Sequence, residues 1–140
     1  MFRKIKQLRR LKMGYIVWKD SFNIGVKEMD EQHMLFASYI NELYDAMQSG
    51  NTEDIVVPIL NKLTDYSQSH FAAEENLLKS INYPMLETQI KQHANFISEL
   101  IFLKSSYLNK SQTAQNMLLC VKDWLLHHIT SEDLKYAEFI

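Results

Sequence analysis

The sequence predicts an all-α fold, an up-down-up-down four-helix bundle preceded by an extended N-terminal arm. The 140 residues include three Gly and two Pro, too few breakers for a sheet protein with many tight turns. Four segments carry apolar residues at steps of three or four, and short connections separate them. We therefore predict one domain at 13–140, with residues 1–12 as a basic N-terminal extension.

The first predicted helix runs from about Glu28 to Gln48, and Gly50 suits its C-terminal cap. Thr52 can cap the second, which continues to about Ile81. Pro58 is awkward there, because proline removes a helical hydrogen bond, so the helix either begins nearer Val57 or kinks at Pro58. The inward faces of these two helices carry His33, Phe36, Ile40, Leu43 and Met47, then Leu60, Leu63, Tyr66, His70, Glu74, Leu77 or Leu78, and Ile81.

The third predicted helix begins at Pro84, which suits a first helical position, and ends near Tyr107. Ser111 can cap the fourth, which should end near Asp133. Their inward faces carry Gln89, His93, Phe96, Leu100, Leu103 and Tyr107, then Met117 or Leu118, Val121, Leu125 and His128.

The segment from Gly14 to Val26 is rich in aromatic and β-branched residues and shows no helical stripe. We expect it to form the extended arm. Trp18 and Phe22 are its predicted anchors against the bundle, as ordinary packing residues.

Charge is distributed unevenly along the chain. Six of the 15 basic residues, and none of the 17 acidic ones, lie before Met13. This leader is either a short amphipathic helix that touches an anionic membrane surface or a protein, or it has no such role and is a frayed extension or a stretch translated ahead of a start at Met13. The remainder is acidic, which argues against nucleic acid as a partner.

Localisation is predicted to be cytoplasmic. No apolar run approaches the roughly 20 residues that cross a bilayer, and the start lacks the pattern of a secretory signal. Cys120 stands alone, so no intrachain disulfide forms, and we expect it to be small and buried or semi-exposed.

Topology brings the polar residues of the inward faces to one end of the bundle. The start of the first helix, the end of the second, the start of the third and the end of the fourth meet there. A carboxylate on an apolar face is costly unless it is paired or bound to a metal, and imidazole with carboxylate suits iron, manganese or zinc. The predicted metal layer contains His33, His70, Glu74, Gln89, His93, His128 and Asp133.

Two spacings qualify this prediction. His128 and Asp133 are five residues apart, so both reach one site only if the helix unwinds or bulges between them. Glu75 lies about 100° around the helix from Glu74, so we expect it to be solvated.

At this point the motifs resemble the hemerythrin family, most closely the single-domain bacterial hemerythrins, over roughly 15–136. The matching segments are Trp18 through Gly25-Val26 to Asp30-Glu31-Gln32-His33, His70-Phe71-x-x-Glu74-Glu75, Tyr83-Pro84 leading to His93-x-x-Phe96, Trp124-Leu125-x-x-His128-Ile129, and Asp133-x-x-Tyr136.

The resemblance implies a non-haem di-iron site that binds dioxygen reversibly, for storage, delivery or sensing. His33 and His70 would hold the iron that keeps a place for oxygen, and His93 and His128 would hold the second iron. Glu74 and Asp133 would bridge the two irons alongside an oxo or hydroxo group. Leu125 matches an apolar residue over the oxygen pocket.

Gln89 departs from the family pattern, which has a third His for the second iron at this position. Gln offers a neutral amide oxygen, a weaker donor than imidazole toward iron. Either Gln89 ligates weakly, or water fills the place, or the second iron is lost or loosely held. Two other functions therefore stay open: an oxidase, peroxidase or nitric-oxide-handling di-iron enzyme, and a binding module stabilised by metal.

Overall fold

The computed structural model describes residues 14–50 and 52–140, and these form the predicted all-α bundle. The four long helices are α1 (Lys27–Gln48), α2 (Glu53–Ser80), α3 (Leu86–Leu108) and α4 (Thr113–His128). Consecutive helices pack against each other, and α4 packs against α1 to close the bundle. A π-helical segment, Ile129–Asp133, and a short helix α5 (Leu134–Ala137) continue α4. The basic leader at 1–12 lies outside the described residues, so its two interpretations stay open.

The inward stripes predicted from periodicity form the core. One face of each helix is buried because apolar side chains recur there at steps of three or four. Tyr66, Ile81 and Tyr107, at the margins of their stripes, are half-buried. The fully buried apolar side chains along the bundle axis include Phe36, Ile40, Leu43, Leu60, Leu63, Leu78, Phe96, Leu100, Leu103, Leu118 and Val121.

The start of α2 differs from one of the two expectations. The helix begins at Glu53, not near Val57, and contains Pro58 within its second turn. Pro58 has no N–H to donate to the carbonyl four residues back, but the side chain is exposed, and the helix continues through it. Thr52 occupies the N-cap position without a capping bond from its side chain, and its backbone carbonyl accepts from Ile55 and Val56 instead.

The starts of α3 and α4 lie slightly later than predicted. Pro84 belongs to the turn before α3, which begins at Leu86. Ser111 lies two residues before Thr113, the first residue of α4, and its hydroxyl accepts a hydrogen bond from the Thr113 N–H. Ser111 therefore satisfies one N–H at the start of α4, as a capping residue does.

The arm is anchored mainly by aliphatic residues that the prediction overlooked. Ile16 and Ile24 are buried, whereas Trp18 and Phe22 are half-buried and meet edge-to-face. The side chain of Asn41 accepts from the Ile16 N–H at 2.6 Å and donates to the Ile16 carbonyl at 3.0 Å. These paired bonds replace a strand partner for the arm, because a buried backbone group must find some hydrogen bond.

The arm ends in a turn at the first helix. Its carbonyl and N–H groups are partly satisfied by the 3₁₀ turn Asp20–Phe22 and by Asp30, whose carboxylate accepts from the N–H groups of Ile24 and Gly25. Gly25 has a φ of +88°, a left-handed conformation that favours glycine. Within 14–50 and 52–140, the structure contains no helix long and apolar enough to span a membrane.

Candidate metal centre

The predicted polar layer forms one buried cluster at the end of the bundle where α1 begins and α2 ends. All seven predicted residues are at most 3% exposed, with His33 and Glu74 at 0%. His33 comes from the second turn of α1, and His70 and Glu74 from the last third of α2. Gln89 and His93 lie at the start of α3, and His128 ends α4.

The π-helical segment Ile129–Asp133 explains how His128 and Asp133 reach the same site. Residues five apart diverge on an α-helix, but the wider turn of a π-helix brings them to one face. The Asp133 Oδ1 lies 3.1 Å from the His128 Nε2, and the Asp133 Oδ2 lies 3.2 Å from the His33 Nε2. The predicted helical bulge is thereby confirmed, and Asp133 faces both sides of the cluster.

Glu74 occupies the equivalent central position from the opposite helix. Its Oε2 lies 3.5 Å from the His33 Nε2 and 3.7 Å from the His70 Nε2. Its Oε1 lies 2.9 Å from the His93 Nε2. Two groups of candidate ligands share this carboxylate, His33–His70–Glu74 and Glu74–His93–His128, with the ligand atoms of each group within 4.8 Å of one another.

Many of the atoms in this cluster lack a hydrogen-bond partner. Most of the buried side-chain atoms that lack a hydrogen-bond partner in the described part of the chain point into this cluster. Several of their separations are close to the roughly 3 Å between neighbouring ligands of an octahedral cation with bonds of about 2.1 Å. The residues therefore fit a site that could hold metal cations. The atoms are His33 Nδ1 and Nε2, Glu74 Oε1, Gln89 Oε1, His93 Nε2, His128 Nε2 and Asp133 Oδ2.

In the metal-free cluster, protons on imidazole balance part of the negative charge of the two carboxylates. Burial alone would raise the pKa of Glu74, but neighbouring imidazoles, first that of His33, hold that pKa well below its ordinary value. Burial alone would lower the pKa of His33, but Asp133 and Glu74 raise it to about 9. Burial does lower the pKa of His70, to about 4. Binding of a cation would thus displace protons from imidazole, as metal sites of this kind require.

Three of the histidines turn one ring nitrogen, Nδ1, away from the cluster. Each of these Nδ1 atoms has a hydrogen-bond partner that the sequence did not predict. The Nδ1 atoms of His70 and His128 lie 2.7 Å from the side-chain oxygens of Gln32 and Gln92. The His93 Nδ1 lies 2.8 Å from a carboxylate oxygen of Glu75. Such contacts place the proton on Nδ1, which leaves Nε2 free as a metal ligand.

The expectation that Glu75 is solvated therefore holds only in part. Its side chain is 30% exposed, so one part contacts water while one oxygen accepts from His93. The position 100° from Glu74 faces the groove between α2 and α3, where Phe71 also stacks on the His93 ring at 4.0 Å. Helical periodicity predicted which residues face inward, but it does not predict which side chains form hydrogen bonds with the outward nitrogens of the histidines.

Leu125, the residue predicted over the oxygen pocket, is buried one turn before His128.

Tyr136 contacts the cluster directly. Its hydroxyl donates to the Glu74 Oε2 at 2.8 Å. Burial, and then the charge of Glu74, raises the pKa of Tyr136, so its hydroxyl stays a donor. Cys120 is exposed, so the expectation of a buried or semi-exposed thiol is wrong.

Glu75→Gln should weaken binding of the cation nearest His93 by about tenfold, since loss of such supporting contacts costs 10–100-fold in metal affinity. The glutamine keeps the shape of the side chain but removes the negative charge that polarises the imidazole. Glu87→Gln, an exposed position at the start of α3 with the same charge change, is the matched control. Anaerobic ferrous titration measures both, and equal affinities in the two variants would contradict a role for Glu75.

Known proteins share this pattern over most of the chain. The family model described as the hemerythrin HHE cation binding domain matches residues 24–140. A bacteriohemerythrin of Pseudomonas aeruginosa is 29% identical over 128 residues, covering 91% of this chain and 83% of that protein. A bacteriohemerythrin of Clostridium acetobutylicum is 30% identical over 87% of this chain and 98% of its own length. A hemerythrin-like protein of Naegleria gruberi is 30% identical over 85% of this chain and 88% of its own length.

The fold and the cluster together define a class of protein, a four-helix bundle with a buried histidine–carboxylate site suited to metal cations. Within that class, the chain belongs to the hemerythrin family. The motifs that carried the resemblance, from the arm to Tyr136, all lie in this bundle and its continuation of α4.

Proposed function

We propose that this protein is a non-haem di-iron protein that binds dioxygen. Membership of the hemerythrin family and the names of its bacteriohemerythrin relatives support this function. The single observation that carries it is Glu74, which two groups of candidate ligands share at the centre of the cluster. A shared carboxylate is what two adjacent cations need, because it ligates both and offsets part of their charge.

The proposed ligands divide into two sets and two bridges. His33 and His70 would hold one iron, His93 and His128 would hold the other, and the carboxylates of Glu74 and Asp133 would be shared between them. Two ferrous ions supply the electrons that reversible binding of dioxygen requires. By its resemblance to the family, the side of His33 and His70 is the place where the small ligand would enter.

The chain's own residues hold the ligands in place and exclude water. Gln32 and Gln92 fix the rings of His70 and His128 through their Nδ1 atoms, and Tyr136 fixes one oxygen of Glu74. Orientation by such contacts is what keeps a metal site in one geometry.

Apolar side chains surround the cluster on the side of the bundle core. Phe36 is fully buried and meets the His70 ring edge-to-face at 5.7 Å, and Leu125 is 1% exposed on α4. We assign Leu125 to the wall of the oxygen pocket. A dry wall prevents water from competing for the site and limits proton leakage, which favours reversible binding over oxidation.

Anaerobic loading with ferrous iron, followed by oxygen, tests the proposal. We expect two irons per chain and the visible charge-transfer bands of an oxygenated di-iron centre, which fade when oxygen is removed under argon and return on re-exposure. The same iron in buffer without protein is the control for free iron. Bands that bleach irreversibly would contradict reversible binding.

The same experiment separates the alternative functions. Turnover of ferrous iron, peroxide or nitric oxide above free-iron controls would support a di-iron enzyme, whose supporting observation is Gln89 in place of a histidine. One metal per chain would support a metal-stabilised binding module.

A further inference from the structure

Gln89 is the one residue of the buried cluster whose role the family pattern does not supply. It is 1% exposed and lies one helical turn before His93 on α3, so both side chains share the inward face. Its amide Nε2 donates to the Asp133 Oδ1 at 3.1 Å. The same carboxylate oxygen lies 3.1 Å from the His128 Nε2. The end of the Gln89 side chain therefore lies on the His93–His128 side of the cluster.

The amide oxygen of Gln89 has no such partner. Gln89 Oε1 is buried without a hydrogen bond from any described residue. A buried carbonyl left in this state costs about 1–3 kcal/mol, so native proteins rarely keep one without a reason. The other buried side-chain atoms in the same condition belong to His33, Glu74, His93, His128 and Asp133, the candidate metal ligands. Gln89 Oε1 is therefore buried without a partner in the same way as these candidate ligand atoms.

The hydrogen bond to Asp133 decides which atom of the amide is free. A carboxylate oxygen accepts and cannot donate, so the Gln89 NH₂ faces it and the carbonyl oxygen is directed elsewhere. The Asp133 Oδ1 has lone pairs enough to accept from Gln89 and to bind a cation at once. The donation thus fixes the amide plane with its oxygen available as a ligand.

We propose that Gln89 Oε1 is a ligand of the cation held by His93 and His128, and that Asp133 orients it. This inference rests on the proposed function only in requiring a cation in that place. The second cation would then have two imidazole nitrogens and three oxygens, from Glu74, Asp133 and Gln89. A neutral oxygen donor in place of imidazole raises the affinity of this site for a hard cation such as Mn²⁺ relative to Fe²⁺.

Two substitutions distinguish ligation from the hydrogen bond alone. Gln89→Met removes both the oxygen and the N–H group with little change in length, and Gln89→Glu keeps an oxygen donor but removes the N–H group. We expect Gln89→Met to lower the affinity for the second Fe²⁺ by at least 10–100-fold, the range for losing even a supporting contact. The affinity for the first Fe²⁺ should stay within about threefold of that of the unmodified protein. Gln89→Glu should hold both. If Gln89 only donated to Asp133, Gln89→Glu would bind worse than Gln89→Met, because two carboxylates would repel.

Stepwise anaerobic Fe²⁺ titration with elemental analysis gives both affinities, and Gln115→Met at the opposite end of the bundle is the control. Thermal unfolding of the metal-free variants checks the fold. Gln89→Met should lose little stability without metal, because it also removes an unpaired buried oxygen.

A third variant gives a measurement that does not depend on the fold of Gln89→Met. In competition between Fe²⁺ and Mn²⁺, Gln89→His should shift one of the two sites toward Fe²⁺. The inference is overturned by an unchanged second affinity in Gln89→Met, by an unchanged metal preference in Gln89→His, or by an unmodified protein that holds one iron. Loss of reversible oxygen binding with both affinities as expected would instead overturn only the proposed function.

Discussion

Glu74→Leu is expected to abolish binding of both metals, the largest effect of any single substitution in the chain. Glu74 is fully buried and belongs to both groups of candidate ligands, so its removal takes a carboxylate ligand from both cations at once. The loss should exceed the 10–100-fold that removal of a supporting contact produces. Metal per chain after anaerobic loading and desalting, measured by elemental analysis, is the direct readout.

Two further variants separate this loss from misfolding. Glu74→Leu leaves the buried Tyr136 hydroxyl without its acceptor, at a cost of about 1–3 kcal/mol. Glu74→Gln keeps an acceptor for Tyr136 and should also fail to hold two metals, because a neutral amide bridges cations poorly. Glu87→Leu, at an exposed position of α3, should bind normally. If Glu74→Leu retained two metals at an affinity within tenfold, the central role of this carboxylate would be wrong.

Removal of iron should lower the melting temperature by about 15–20 °C. A ligand at 100 times its dissociation constant stabilises the native state by about 2.7 kcal/mol, so two sites contribute about 5 kcal/mol. For a domain of this size each kcal/mol corresponds to about 3–4 °C. The metal-free protein also keeps a cluster of buried charged and unpaired groups that the cations would satisfy.

Calorimetry of the same preparation with and without iron, at fixed pH, measures this shift. Glu74→Leu serves as the control, since a variant that binds no metal should melt at the same temperature in both conditions. A shift below about 5 °C in the unmodified protein would mean that the cations bind weakly or that the unfolded chain binds them as well.

Most of the fold could be predicted from the sequence because helical periodicity is a strong signal over long segments. The four stripes identified which side chains face inward, and the antiparallel order of the helices then determined which polar residues meet. The spacing of His128 and Asp133 even predicted a local departure from α-helical geometry, which the structure contains at Ile129–Asp133.

Less could be predicted where the decisive contact lies away from the periodic stripe. Glu75 supports His93 across the groove between two helices, and no pattern within one helix predicts such a contact. The arm is anchored by two hydrogen bonds between the Asn41 side chain and the Ile16 backbone. This contact could not be predicted from the sequence, because it depends on the tertiary positions of the two residues and not on local propensity. Pro58 lies inside α2 since the packing of the remaining helix outweighs one missing hydrogen bond.

The π-helical segment has a consequence for how such a site can arise in a helical chain. His70 and Glu74 of α2 are four residues apart, a spacing that places both on one face of any regular helix. His128, the last residue of α4, and Asp133, in the π-helical segment, are five residues apart. The wider turn of the π-helical segment takes up the extra residue, so Asp133 still faces the cluster and lies 3.2 Å from His33 of α1. A one-codon insertion into an ordinary helix is enough to produce that spacing. Deletion of the extra residue would return the segment to a plain helix and turn the carboxylate away from its partners.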